Sequence, residues 1–215
     1  MKKKFYAIFA IAALGMVSCG GSEENVEQEV KAAPAEKEYT LLTEESSLSW
    51  KGGWIVPGED GEMMEVKNHN GTVRFAEGSV TTNADGVTGV FVIDMSTISS
   101  DDLADEPEEK EKLEGHLMAD DFFKVEDFPN VAVSLNSITN GVADVTINVI
   151  GVEINKQFAV DMSEEGSKRH MHAEFSVDFS ALGMPMTMAN PEKPEEGNVN
   201  PEVDFHLHLT AVEKE

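Results

Sequence analysis

Gly115-His116-Leu117-Met118-Ala119-Asp120-Asp121-Phe122-Phe123-Lys124-Val125-Glu126-Asp127-Phe128-Pro129 runs on into Asn130-Val131-Ala132-Val133. It joins the one convincing helix of the chain to the second half of an otherwise all-strand pattern. Pro107 suits a first helical turn, where its missing N–H would have no partner. Leu113 and Leu117, four apart, share one face of that helix. Glu106 and Glu108 each precede a lysine, Lys110 and Lys112, by four residues, the favourable order for exposed pairs. Phe122, Phe123 and Phe128 are a dense apolar load for an acidic loop. Pro129 then forces an extended conformation ahead of Val131-Val133-Leu135, which alternate as a strand does. The stretch reads as a helical plug on one end of a sheet, pinned by three phenylalanines.

Outward from the plug, strand signals fill the rest. Leu48, Trp50 and Trp54 share one parity, Val73 and Phe75 begin a second strand, and Val87 to Met95 follow an Asn83-Ala84-Asp85-Gly86 turn. Val131 to Ile138 meets Asn140-Gly141, a strong hairpin signal, and returns through Val142 to Ile150. Gly151 marks a reversal into Ile154 to Met162. Glu164-Glu165-Gly166-Ser167 turns into Arg169 to Ser180, and Val203 to Val212 ends the set. Eight or nine antiparallel strands with one helix inserted midway predict an all-β, eight-stranded barrel rather than an open sheet.

Alternation separates lining from surface. Phe91 and Ile93 fall on the inner side of one strand, and Val145, Ile147 and Val149 on that of another. Phe158 and Val160 (with Met162) oppose Ala159 and Asp161. Phe175, Val177 and Phe179 oppose Glu174, Ser176 and Asp178, and Phe205 and Leu207 oppose His206 and His208. A barrel of this width either fills its centre with side chains or holds one small ligand, and alternation alone does not choose.

Four separated segments resemble the YceI-like family: His116-Leu117 through Asp121-Phe122-Phe123 with Phe128-Pro129; Asn70-Gly71-Thr72-Val73; Val92 to Ile98; and Val145 to Val152. They stand in family order over roughly 39–212. The resemblance implies a lipocalin-like antiparallel barrel holding a polyisoprenoid or other long-chain lipid, which favours a lumen over a packed centre. It also implies an arginine near Asp178-Phe179-Ser180-Ala181, which this chain lacks.

The N-terminus carries its own signals. Lys2, Lys3 and Lys4 precede the apolar run Phe5 to Val17, too short for a lasting membrane span, so 1–18 reads as a secretory signal. Cys19, the only cysteine, follows Met16-Val17-Ser18 and reads as a lipoprotein acylation site, with Met16 where leucine is usual. Gly20 to Lys37 has almost nothing to bury and reads as a tether of about 25 Å reach, so that 19–38 links the anchor to a single domain at 39–215. Glu23 and Glu24 resemble a surface-export signal of some Gram-negative lipoproteins. The expectation is an exported outer-membrane lipoprotein, periplasmic or surface-exposed.

Charge excludes other classes. The chain carries −25, and loss of Lys2, Lys3 and Lys4 with the leader takes this to −28. Such a surface is repelled by phosphate backbones, so nucleic acid is not an expected partner. No Gly-x-Ser-x-Gly, Ser-x-x-Lys, Walker or dinucleotide motif is present, and no catalytic residues are assigned. The acidic run Asp101 to Glu114 lacks calcium-loop spacing.

Two motifs suggest metal as a second reading. His170-Met171-His172 and His206-Leu207-His208 would cluster four imidazoles near Glu174 if their strands paired in the right register. Met184-Pro185-Met186-Thr187-Met188 aligns three thioethers, suited to Cu(I) or to an adaptable apolar flap over a lipid. The preferred reading assigns no metal and no cofactor beyond a bound lipid, isoprenoid or fatty-acyl, carried, stored or scavenged without catalysis. A packed barrel serving as a scaffold is the blandest reading.

The anchor is directly testable. Cys19→Ser should move the protein from membranes to the soluble fraction and abolish labelled-palmitate incorporation. A variant that still sediments with membranes, beside a wild type that takes up no palmitate, would refute acylation.

Overall fold

The structure, a computed structural model, describes residues 35–214. The leader, Cys19 and most of the acidic tether lie outside the described residues. Strands β1 (Lys37–Leu41), β2 (Ser47–Pro57), β3 (Met63–Asn83) and β4 (Gly86–Ser100) precede helix α1 (Pro107–Met118). Then follow β5 (Asn130–Thr139), β6 (Val142–Val149), β7 (Val152–Ala159), β8 (Asp161–Glu165), β9 (Lys168–Asp178), β10 (Asn198–Val199) and β11 (Glu202–Glu213). All eleven belong to one antiparallel sheet. The first strand takes up Lys37 and Glu38, two residues read as tether.

Eleven segments nevertheless occupy eight positions around the sheet, with the two-residue β10 an appendage on β2. β1 and β2 share the place between β3 and β11. β2 lies beside Met63–Val73 and β1 beside Ser79–Thr82. β7 pairs with β6 and β8 with β9, with only Val160 between them, so the chain crosses there from one edge of the sheet to the other. Among the described residues no backbone hydrogen bond joins β7 to β9. Phe158 and Phe175 bridge that seam instead, their rings 4.0 Å apart and 9° from parallel.

Local chemistry sets the turns. Asn83 Oδ1 accepts the N–H groups of Asp85 (2.9 Å) and Gly86 (3.2 Å), the side-chain mimic of a turn that asparagine supplies. Asn140 and Gly141 take φ of 53° and 75°, the pair of left-handed residues a two-residue hairpin requires. Gly71 answers a different need. A Cβ there would run into the Ser99 carbonyl and the Trp50 ring, so only glycine lets β3 and β4 approach at that point.

The plug is docked by charge as well as by grease. Ser100, 0% exposed at the end of β4, donates its N–H to Glu114 Oε1 at 2.9 Å and its hydroxyl to Asp102 Oδ1 at 2.9 Å. Its carbonyl accepts from Lys110 Nζ at 2.7 Å. Asp102 also accepts the Asn70 N–H at 3.0 Å and His69 Nδ1 at 2.8 Å. The helix lysines therefore do not pair as the spacing predicts: Lys110 meets Glu114 and Lys112 meets Glu109, because Lys110 is drawn toward the buried Ser100 carbonyl.

Two of the three expected pins hold. Phe122 is buried and Phe123 half-buried, while backbone bonds from Phe123 to Leu117 (3.2 Å) and from Val125 to Met118 (3.0 Å) fold the loop back on the helix. Phe128 does not pin the plug. It is 38% exposed, three residues beyond Val125, the last buried side chain of the loop.

Burial of Asp102 raises its pKa, but the Asn70 N–H, the His69 ring and the Ser100 hydroxyl together outweigh burial and hold it below the usual carboxylate range. Its bonds thus add stability above that range, and the contribution is lost as pH falls through its folded value. Asp102→Asn should cost about 1–3 kcal/mol at neutral pH. Urea melts of the variant and the wild type should converge in acid, and coincident melts at neutral pH would refute the role.

Candidate ligand cavity

The inner face of the sheet does not close on itself. It surrounds a cavity of ≈ 380 Å³, within the range of about 300–1,000 Å³ common for small-molecule sites. Eleven of the twelve residues read as lining do line it: Phe91, Ile93, Val145, Ile147, Val149, Phe158, Phe175, Val177, Phe179, Phe205 and Leu207. Val160 does not. It is buried at the β7–β8 break, where its N–H turns to the Gly141 carbonyl at 2.8 Å and leaves the strand's alternation. Met162, beyond the break, is 56% exposed.

Strand pairing explains the rest of the wall. Phe91 and Ile93 of β4 stand opposite Val133 and Val131 of β5. Val145 and Ile147 of β6 face Leu135 and Val133, and every residue of these pairs lines the cavity. Both tryptophans line it too. Their N–H tips are satisfied outside the lumen, Trp50 by the Thr72 carbonyl at 3.3 Å and Trp54 by the Glu196 carbonyl at 2.9 Å, so the rings present only carbon inward.

One side of the cavity is aromatic throughout. Phe122 and Phe123 lie 5.5 Å apart, Phe123 meets Phe179 edge-on at 6.0 Å, and Phe179 meets Phe205 edge-on at 6.2 Å. Phe205 and Phe175 stack at 5.6 Å, and Phe175 continues to Phe158 across the seam. These six rings form an unbroken path from plug to seam. Leu113, Leu117 and His116 of α1 complete that end of the lining.

Sequence alternation missed the contribution of β3 and of the segment after β9. Lys67 and His69 line the cavity from β3, where charged residues mask the pattern. The methionine run is not a row of three thioethers over the mouth. Met184 is buried in the core, Met186 lines the cavity, and Met188 is 58% exposed. A short helical turn at Pro185–Thr187 rotates the three onto different sides.

The histidine pairs do not bring all four imidazoles together, because the β9–β11 register is two residues away from one that would set His206 against His172 and His208 against His170. His208 faces His172, but His206 faces Glu174 and His170 faces Thr210. Nδ1 of His208 lies 3.1 Å from Nδ1 of His172 and its Nε2 lies 3.1 Å from the Thr210 hydroxyl. Burial, then repulsion by His172 and His170, pushes the His208 pKa down. Among the described residues, no group of three or more His, Cys, Asp or Glu has a metal-holding arrangement.

The YceI-like domain model matches residues 39–211, most of the chain. The chain belongs to the YceI-like family. No curated protein sequence matches it, but solved structures do. It is similar to BcnA of Burkholderia cenocepacia at 16% identity and a TM-score of 0.55, over 79% of this chain and 98% of that one. It is also similar to a polyisoprenoid binding domain from Saccharophagus degradans implicated in plant cell wall breakdown. Identity there is 12% and the TM-score 0.55, over 82% of this chain and 98% of that one. At such identities the likeness speaks to the fold.

Because both tryptophans line the cavity, an apolar occupant reports itself. Titration with a brominated acyl chain should quench intrinsic emission saturably, and Trp50→Phe and Trp54→Phe should each retain part of the effect. Emission indifferent to the brominated chain would count against ligand access.

Proposed function

We propose that this YceI-like protein binds one long-chain lipid, of polyisoprenoid or fatty-acyl type, inside the cavity and carries, stores or scavenges it in the cell envelope without catalysing a reaction. The observation that carries this reading is a cavity of ≈ 380 Å³ whose lining is carbon almost throughout. Each Å² of apolar ligand surface taken out of water there contributes roughly 25 cal/mol. A flexible hydrocarbon chain gains most, because its surface grows with every added carbon. The structural likeness to a domain described as polyisoprenoid binding supports the same class of ligand.

The rest of the proposal follows from the N-terminal reading. Acylation of Cys19 would hold the domain to the outer membrane through a tether, near a source of lipid and clear of the headgroups. Each buried acyl methylene would add about 0.8 kcal/mol to that anchorage. No partner other than the lipid and this anchorage is needed for the role.

Val177 tests the lumen best, since it is 1% exposed and its side chain lines the cavity. Val177→Trp should put the added ring into empty space, leaving a folded protein that copurifies with less lipid or a shorter one. Mass spectrometry of organic extracts from both proteins reads the outcome. A wild type without extractable lipid or probe uptake, beside a variant destabilised by about 1–3 kcal/mol through overpacking, would overturn the proposal.

A further inference from the structure

The rim of the cavity reverses the charge of the rest of the protein. Acidic residues outnumber basic ones 41 to 16 in the chain. No Asp or Glu lines the cavity, whereas Lys67, His69 and His116 all do. Lys67 and His116 are exposed and His69 is half-buried, which places the three at the opening rather than in the depth. Lys67 and His69, two apart on β3, lie on one face of that strand opposite Trp54 and Gly52 of β2. His116 sits in the last turn of α1, beside Leu117 of the lining.

Lys67 is also without an acidic partner. Lys37, Lys51, Lys110, Lys112, Lys168, Lys193 and Lys214 each have a carboxylate within 4.0 Å. Among the described residues Lys67, Lys124 and Lys156 have none, and of these three only Lys67 lines the cavity. His69 has one, but to a different end. A carboxylate can only accept, so Asp102 takes the Nδ1–H at 2.8 Å and fixes the ring. The other nitrogen remains, and in the imidazolium form it is a second donor. Of the carboxylates near the rim, Asp102 is thereby spent on the Asn70, Ser100 and His69 donors, and Glu65, beside Gly53, on Asn68 and Lys51.

Resting on the lipid-binding reading above, we propose that the occupant is an amphiphile with an anionic head, a carboxylate or a phosphate, seated among Lys67, His69 and His116. Its hydrocarbon chain enters past Trp54 and Leu117. At physiological ionic strength the Debye length is about 8 Å, so the distant acidic surface is screened and the Lys67 ammonium governs the head at contact. A neutral head gains the same burial of its chain but no charge-assisted bond.

Matched pairs with identical chains separate the two contributions: dodecanoic acid against dodecanol, and farnesyl phosphate against farnesol, each titrated by tryptophan emission at neutral pH. The anionic member of at least one pair should bind about tenfold tighter than its alcohol. Whichever pair shows the gap identifies the source as fatty acid or prenyl phosphate. Lys67→Gln should collapse that ratio toward one, and Lys67→Arg should retain it. Equal affinities within both wild-type pairs, or a ratio that survives Lys67→Gln with His116→Gln, would overturn the proposal while leaving lipid binding intact. Failure of all four compounds to bind would overturn the lipid reading itself.

Discussion

The buried Ser100 is the point on which the architecture turns. Its N–H, carbonyl and hydroxyl each meet a charged side chain, two from α1 and one from the loop that enters it. Left without partners in an apolar interior, such groups would cost several kcal/mol. Only the observed seating of α1 satisfies all three together. Leu113 and Leu117 are thereby delivered to the lumen, and the Phe122–Phe123 loop is brought against Phe179. The polar clamp fixes where the plug sits, and the apolar face of the helix then has one cavity to cover.

The same network links the plug to the rim. Asp102 binds Ser100 with one oxygen and orients His69 with the other, so the helix entry and the proposed head site share one carboxylate. A change in either is felt at both. The aromatic path on the far side performs the complementary task. Rings in contact make a wall that offers an occupant dispersion contacts along its length but no polar atom to fix its depth. Position would then be set at the opening, and hold along the chain.

Much of this was legible beforehand, for identifiable reasons. Phe91/Ile93, Val145/Ile147/Val149 and Phe175/Val177/Phe179 alternate with polar residues, and a two-residue period survives any detail of strand length. Asn140-Gly141 announced its hairpin because few other pairs tolerate two left-handed residues in succession. What failed depended on register or on breaks. His206 and His172 are two residues of register from facing each other, and nothing local sets that register. Val160 looked like a continuing strand because its departure is caused by a carbonyl in a distant turn. Lys67 and His69 were invisible as lining, since the mouth of a cavity is where charged residues and inward-facing positions coincide. Whether the centre is filled or hollow depends on the fit of many side chains at once, which no strand shows by itself.

The seam between β7 and β9 gives the wall an uneven stiffness. Everywhere else around the circumference, widening the lumen means stretching a ladder of hydrogen bonds. At the seam it means sliding Phe158 over Phe175, an aromatic contact worth about 0.5–1.5 kcal/mol beyond the area it buries. The molecule therefore resembles a split collar more than a rigid ring. Opening there keeps the register of every ladder, so a change in the girth of the lumen costs least along that one line.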